Sequence, residues 1–202
     1  MEGPSEQALL EAWCSGDDTA GQELFRLHFD SIYRFFARKV RNDVADLVQQ
    51  TFLGAAESRG RIHADSSMRA YLLGVAHNKL LMHFRASSRD ANLDFSTSSL
   101  LDVSPSPSEA LAEKHELQLL EAALCRIPLE LQIAVELYYW EELTGPQLAE
   151  VLGVPEGTAR SRLRRGIELL RVALRELPAS DERESSLAGL DAWAARLRAL
   201  PA

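Results

Sequence analysis

The sequence predicts an all-α protein made of two helical domains joined by a flexible linker. Apolar residues recur three and four positions apart in both halves of the chain, and the alternating pattern of a half-buried strand is absent. Residues 87–108 are instead rich in serine and aspartate and contain two prolines, which is typical of a tether. Residues 143–166 combine a helix cap, a tight turn and an arginine-rich helix, which is the pattern of a helix-turn-helix.

The composition excludes a membrane protein. A length of 202 residues fits one or two domains, and 46% hydrophobic with 26% charged residues indicates a soluble globular chain. No stretch approaches the roughly 20 apolar residues that cross a bilayer. The acidic N-terminus lacks the layout of a signal peptide, so we expect a cytoplasmic protein without a membrane segment.

Neither the cysteines nor the histidines have the spacing of a metal-binding site. Cys14 and Cys125 lie far apart in apolar helical contexts, and the five histidines match no zinc-binding pattern. We therefore predict no metal, no cofactor and no catalytic residue. Both cysteines are expected to act as small buried hydrophobic side chains.

The first predicted domain covers residues 5–86. Apolar residues at helical spacing indicate one helix around residues 24–36 and another around residues 44–55. The second of these helices has an apolar stripe on one side and polar side chains towards the other. Ser66 or Ser67 can cap a third, long helix.

The second predicted domain covers residues 109–177. An amphipathic helix comes first, a further helix begins at a proline, and the helix-turn-helix closes the domain. The tail, residues 178–202, contains one possible short helix. Its residues Leu190, Trp193 and Leu197 are spaced to dock on the body of the protein or on a partner.

The helix-turn-helix follows from local chemistry. Thr144 can cap its first helix, and Gln147 three residues later completes a capping-box pattern. Gly153 suits a left-handed helix end, and Pro155 precedes the second helix. That helix should expose its arginines around a buried Leu163.

The charge of the chain is distributed unevenly. The net charge is −8, and duplex DNA repels an acidic protein. Eleven carboxylates lie between Asp102 and Gly157 against one lysine and one arginine, whereas six arginines lie between Thr158 and Arg175 against one glutamate. The basic end therefore marks a DNA-binding surface, and the acidity elsewhere indicates that tight binding needs a partner.

The second helix of the motif is predicted to enter the major groove of DNA. There an arginine fork can pair with guanine, at about 1–3 kcal/mol of discrimination per contact. The predicted recognition surface consists of Thr158, Arg160, Ser161, Arg164 and Arg165. Thr158 can donate to a phosphate near the helix start, and Arg162 is expected to point elsewhere.

Segments of both domains, in order, resemble the extracytoplasmic-function sigma factors, the small two-domain specificity subunits of bacterial RNA polymerase. Residues 46–55, DLVQQTFLGA, are similar to the polymerase-binding helix of that family. Residues 71–85, YLLGVAHNKLLMHFR, are similar to the helix that reads and opens the minus-ten promoter element. Residues 127–170 are similar to the minus-thirty-five-binding domain, and the likeness spans roughly residues 24–174.

The resemblance implies a transcription initiation factor without catalysis of its own. The first domain would dock on the polymerase and stabilise the melted minus-ten strand, while the second binds the upstream element. The implied partners are core RNA polymerase, at its clamp helices and flap, and promoter DNA. An anti-sigma factor is a further candidate partner.

Individual roles also follow from the resemblance. The polymerase-binding residues would be Asp46, Gln49 and Gln50, with Phe52 holding their helix to its own core. The minus-ten residues would be Arg61, Tyr71, Asn78, Lys79 and Arg85, beside a loop at residues 60–65 that is available to capture an unstacked base. The chain departs from the family pattern at Gln50, where glutamate is usual, and at Tyr71, where tryptophan is usual.

Two other classes of protein remain as alternatives. One is a stand-alone helix-turn-helix regulator that dimerises through the first domain and binds a palindromic duplex. The other is a helical enzyme such as a nuclease. A nuclease would need clustered carboxylates or a metal constellation, and the carboxylates of this chain are scattered over helix surfaces.

Overall fold

A computed structural model describes residues 4–40, 42–62, 67–87 and 119–176, and within these ranges the regular elements are all helical. The first helices are α1 (Glu6–Cys14), α2 (Asp18–Ala37), α3 (Val44–Glu57) and α4 (Met68–Ser87), with a 3₁₀ turn at Arg59–Arg61. A helix over residues 119–124, α5, is followed by α6 (Leu129–Tyr139), α7 (Gly145–Leu152) and α8 (Glu156–Glu176). The predicted all-α fold is confirmed. In these ranges no helix is both long enough and apolar enough to cross a membrane.

Several predictions fall on other parts of the chain. The linker after Ser87, residues 109–118, and the tail at residues 178–202 lie outside the described residues. The docking hypothesis for Leu190, Trp193 and Leu197 therefore stays a prediction, and so do the domain boundaries.

Polar side chains set the starts of three helices in the first unit. Ser5 Oγ accepts the Ala8 N–H at the start of α1, and Asp17 Oδ1 accepts two N–H groups at the start of α2. Ser67 Oγ accepts the Ala70 N–H at the start of α4, 3.3 Å away. Each bond satisfies a donor that the first helical turn leaves open, and Ser67 is one of the two serines that were predicted as the cap of α4.

The core of the first unit comes from one side of each helix. α2 and α4 supply most of the fully buried side chains, while α3 contributes the buried half of its apolar stripe. The buried apolar residues on these three helices are Ala20, Leu24, Ile32, Phe35, Phe36, Leu47, Val48, Ala55, Met68, Ala70, Leu72, Leu73, Ala76, Leu80 and Phe84. α1 closes this core with Leu10 and Trp13, which are 1% and 3% exposed. Cys125 is buried as expected, whereas Cys14 is only partly buried.

In the second unit α8 crosses α6 at a glycine. Gly166 is buried, and a Cβ built on it would lie 2.8 Å from Val135 Cγ2 and 3.0 Å from the Leu131 carbonyl oxygen. α8 can therefore approach α6 this closely only without a side chain at this position. The crossing holds the N-terminal half of α8 in place, with Ala159 buried against the core.

Gly166→Ala should destabilise the protein even though alanine is the better helix former. Overpacking costs about 1–3 kcal/mol, which exceeds the gain of about 1 kcal/mol in helix propensity over most of that range. Urea unfolding would measure the loss. Gly157→Ala, on the same helix with open space around it, is the matched control and should be neutral or slightly stabilising. Equal stabilities of the two variants would contradict the close crossing.

The two units also pack against each other. α4 lies on α7, where a Cβ built on Gly74 would be 3.8 Å from the Val151 Cα. Just after α2, Lys39 is fully buried and pairs with Glu136 of α6. One hydrophobic cluster therefore continues from the first unit into the second. No sequence pattern predicted this packing.

Candidate nucleic-acid interface

The helix-turn-helix is formed as predicted. The Thr144 N–H donates to Gln147 Oε1 at 2.9 Å, so the capping box starts α7. Gly153 ends α7 with φ of 63°, a left-handed conformation that glycine adopts without strain. α8 begins three residues later at Glu156. The short turn between the helices is thus fixed by the side chains that the sequence pattern indicated.

The predicted recognition residues share the outer face of α8. Thr158, Arg160, Ser161, Arg164 and Arg165 are all exposed. On the opposite side Ala159 and Gly166 are buried. Leu163 was predicted to be buried, and this was wrong: it is half-buried, because it lies at the boundary where α8 packs on both hydrophobic clusters.

The arginines of α8 differ in how far they are committed to partners. Arg160 pairs with Glu156 one turn earlier, and Arg162 turns back to Glu130 of α6 at 2.7 Å. The ion pair of Arg165 is longer, with 3.9 Å between its guanidinium nitrogen and the carboxylate oxygen. Within the described residues Arg164 forms no ion pair, so its fork is the most available for a ligand.

The predicted minus-ten residues differ in how exposed their side chains are. Asn78 and Arg85 are exposed on α4, whereas Tyr71 and Lys79 are half-buried. Met82, which is 60% exposed, lies between Asn78 and Arg85 on the same helical face. Sequence reasoning missed it, because an apolar residue in an amphipathic helix is usually assigned to the core. The side chain of Arg61 and part of the loop after it lie outside the described residues.

α3 presents its polar residues beside this surface. Asp46 and Gln49 are exposed, and Gln50 is half-buried and donates from Nε2 to Asp46 Oδ2 at 2.6 Å. The opposite side of α3 packs into the core as predicted. α3 and α4 are neighbours, since a Cβ on Gly54 would lie 3.6 Å from Lys79 Cε. The two predicted contact surfaces of the first unit are therefore adjacent.

An aromatic cluster borders the polar face of α3. The Phe52 ring lies 4.7 Å from that of Phe25, so it holds α3 to α2 as expected. Phe29 and Tyr33 stack near it yet remain 46% and 38% exposed. Together with Arg26 and Asp30, the rings of Phe25, Phe29 and Phe52 line a shallow cleft of about 430 Å³. Helical spacing could not show this, because α3 covers only part of the apolar face of α2.

A buried histidine lies on the inner side of α4. His77 is 5% exposed and forms a hydrogen bond with the Val151 backbone of α7. Desolvation by burial lowers the pKa of His77 to about 4, and the positive charge of Arg162 acts in the same direction. The imidazole is therefore neutral near pH 7, and α4 turns a neutral face to α7 and a polar face to solvent.

The arrangement of these surfaces can be compared with known families. The family description Sigma-70 region 2 matches residues 24–90, and Sigma-70, region 4 matches residues 117–170. The first range contains most of α2 and all of α3 and α4, and the second contains α7 and the part of α8 up to residue 170. Both matches coincide with the surfaces described above.

Curated relatives match along most of their length. RNA polymerase sigma factor CarQ of Myxococcus xanthus is 31% identical, covering 83% of this chain and 97% of its own. ECF RNA polymerase sigma factor SigL of Mycobacterium tuberculosis is also 31% identical, covering 81% and 96%. ECF RNA polymerase sigma-E factor of Haemophilus influenzae is 29% identical over 86% and 97%.

Two solved structures share the fold. CnrH, in complex with the cytosolic domain of CnrY, matches with a TM-score of 0.62 and 22% identity, over 84% of this chain and 97% of that one. The sigma factor RpoE of Bartonella quintana, in complex with the anti-sigma factor NepR, matches with a TM-score of 0.60 and 20% identity, over 78% and 98%.

Proposed function

The chain belongs to the extracytoplasmic-function (ECF) sigma factors of bacterial RNA polymerase, and from that membership we propose which of its surfaces make the contacts of promoter recognition. As an RNA polymerase sigma factor it directs core polymerase to specific promoters. Sigma factors are initiation factors, and we assign no chemical step to any residue of this chain. Its place of action would be the bacterial cytoplasm.

The outer face of α8 is proposed to read the upstream promoter element. The observation that carries this is the exposed arginine face, with Arg164 free of any ion pair among the described residues and Arg165 nearly so. Arg160 would exchange its Glu156 partner for DNA, and Thr158 lies near the helix start where backbone N–H groups attract phosphate. The Ser161 hydroxyl donates to the Thr158 carbonyl and keeps its acceptor lone pairs for DNA.

The outer face of α4 is proposed to contact the minus-ten element. Asn78 and Arg85 lie seven residues apart on one exposed face, and Lys79 reaches over α3 beside them. Met82 adds an exposed apolar side chain against which an unstacked base can pack. Tyr71 and Arg61 complete the proposed set on the strength of the family resemblance.

The polar face of α3 is proposed to bind core polymerase. Its exposed carboxylate, Asp46, is oriented by the Gln50 amide, so the neutral residue at position 50 serves as a donor to Asp46. The neighbouring exposed rings of Phe29 and Tyr33 extend this surface with apolar area. Aromatic side chains are enriched in protein interfaces, and tyrosine is among the residues that most often dominate their binding energy. An anti-sigma factor remains a predicted partner.

The test is to add the purified protein to core RNA polymerase from a related bacterium and to transcribe a genomic promoter library. Discrete start sites that share two spaced upstream elements are the expected result. A protein that forms no stable core complex and binds a palindromic duplex by itself would instead be a stand-alone regulator. Metal-dependent cleavage of DNA without promoter-specific transcription would favour the nuclease alternative.

Asp46→Ala should weaken binding to core polymerase by roughly 10- to 150-fold, because a lost hydrogen bond to a charged group costs about 1.5–3 kcal/mol. Titration of core polymerase with labelled protein would measure it. Glu57→Ala, an exposed carboxylate at the other end of the same helix, is the matched control and should bind like the parent chain. Equal losses in the two variants would show that only the overall charge of α3 matters.

A further inference from the structure

An exposed aromatic cleft lies where α3 packs on α2. Phe25 and Phe29 of α2 and Phe52 of α3 supply its rings, and its volume is about 430 Å³. Phe29 is 46% exposed, and Tyr33, whose ring stacks on it at a centroid distance of 6.1 Å, is 38% exposed. Exposed apolar side chains that form one contiguous patch, rather than scattered positions, mark a binding surface. The cleft therefore favours an apolar partner that covers these rings.

The rim of the cleft carries a negative charge that is open to a partner. Asp30 is exposed, and among the described residues no cation forms an ion pair with it. Arg26, the other charged residue of the cleft, already pairs with Glu23 at 2.6 Å. A partner that covers the rings can therefore bring a cation to Asp30 without breaking an ion pair that involves this carboxylate.

The tail of the same chain has a sequence pattern that matches the cleft. On a helix, Leu190, Trp193 and Leu197 would share one face, and Arg196 would border that face. The three apolar residues would span about 10 Å of helix axis, and the three rings of α2, four residues apart, span about 12 Å. Rows of side chains three and four residues apart interdigitate when two helices pack. The tail therefore fits the rings in length and spacing, and it supplies a cation beside them.

The chain between α8 and this segment is long enough for the tail to reach the cleft. α8 ends at Glu176, and residues 177–189, if extended, could span roughly 43 Å at about 3.3 Å per residue. A compact body of the size of the described ranges has a radius of gyration of about 14 Å, hence a diameter of about 37 Å. Most of the surface of the body therefore lies within reach of the tail.

We propose that the tail folds back onto the aromatic cleft, with Trp193 against the rings and Arg196 beside Asp30, and so competes with core polymerase. The competition rests on the proposed function, in which Phe29 and Tyr33 extend the polymerase-binding surface. Because only the undocked fraction can bind there, the tail lowers the apparent affinity for polymerase in proportion to that fraction. The Sigma-70, region 4 match ends at residue 170, so membership of the family assigns the tail no role.

Disulfide trapping tests where the tail docks, independently of polymerase. In the full-length chain with Cys14→Ala and Cys125→Ala, Arg196→Cys is combined with Asp30→Cys, or with Glu150→Cys as the matched control. Glu150 is an exposed carboxylate of the second unit, to which α8 and hence the tail are joined. Under mild oxidation the Asp30 pair should close within one chain at least roughly tenfold faster than the Glu150 pair, because docking holds its two thiols together.

A further substitution separates docking from chance encounter. Adding Trp193→Ala to the Asp30 pair should slow its closure to the rate of the Glu150 pair, because the side chain that fills the cleft is gone. Equal rates for the two pairs with Trp193 intact would overturn the proposal. Disulfides that form between chains rather than within one would also overturn it, since the occupant of the cleft would then be the tail of a second copy.

Titration of core polymerase with the full-length chain tests the competition. The minor state of such an equilibrium commonly holds about 10% of the molecules or less, so Trp193→Ala should tighten binding by roughly tenfold or more. Trp193→Phe keeps an aromatic ring and should bind like the parent chain, as should Glu184→Ala in the polar stretch of the tail. Weaker binding by Trp193→Ala would mean that the tail contacts polymerase, and unchanged binding that it does not compete, so either result would overturn the proposal. If trapping shows the docked tail and no variant binds core polymerase, the proposed function is wrong instead.

Discussion

Arg164→Ala should relax the preference for the upstream promoter element by roughly 5- to 150-fold, the equivalent of about 1–3 kcal/mol for one good base contact. Arg164 is exposed on the outer face of α8, and no described carboxylate pairs with it. Its guanidinium therefore breaks no ion pair with a described residue when it binds DNA. Arg160 must first leave Glu156, so the net effect of its removal should be smaller.

The measurement is transcription by the reconstituted polymerase on promoters that carry each substitution in the upstream element. A base-reading arginine flattens the response at one position of the element. A phosphate-binding arginine weakens all sequences alike and lowers the salt dependence. Uniform weakening by Arg164→Ala would therefore reassign this residue to the phosphate backbone.

Arg162→Ala is the matched control on the same helix. Its guanidinium lies 2.7 Å from Glu130, and both side chains are about one quarter exposed, so this arginine serves the fold of the second unit. The substitution should lower stability and leave the base preference unchanged. An equal loss of preference would mean that the outer face of α8 has been wrongly assigned.

Local features of the helix-turn-helix could be predicted because they depend on neighbouring residues. The Thr144–Gln147 cap and the left-handed Gly153 are formed within a few residues of chain, and the sequence pattern predicted both. The exposed set on α8 followed from helical spacing in the same way. The prediction that Leu163 is buried was wrong, because the burial of this residue depends on how α8 packs on two hydrophobic clusters at once.

The contact between the units could not be predicted, because it joins residues far apart in the chain. Lys39 lies between Arg38 and Arg41 in the sequence, a basic stretch of a kind that is usually solvated, yet its side chain is fully buried. Its partner Glu136 is 97 residues away. The exposure of Phe29 and Tyr33 has a similar origin, since it depends on how much of the apolar face of α2 is covered by α3.

Mild acid should destabilise the folded protein through His77. Its pKa is about 4 in the folded state, against 6.5 for the free side chain. Between these values the unfolded chain binds a proton that the folded chain does not, so unfolding takes up a proton and is favoured as the pH falls. The contribution is fully present above pH 6.5 and is lost down to about pH 4, a change of about 3 kcal/mol. Burial also lowers the pKa of His28, which adds a loss of the same sign.

Urea unfolding of the parent chain and of His77→Gln, at pH 7 and at pH 4.5, separates this term from the other titrating groups. The stability difference between the two proteins should shift by about 2–3 kcal/mol in favour of the variant at the lower pH, because glutamine cannot take up the proton. Met82→Gln, an exposed change on the same helix, alters no titratable group and should keep the acid profile of the parent. If His77→Gln and the parent lost stability in parallel, the imidazole would have to be hydrated in the folded protein. This result would contradict the tight packing of α4 on α7 around His77.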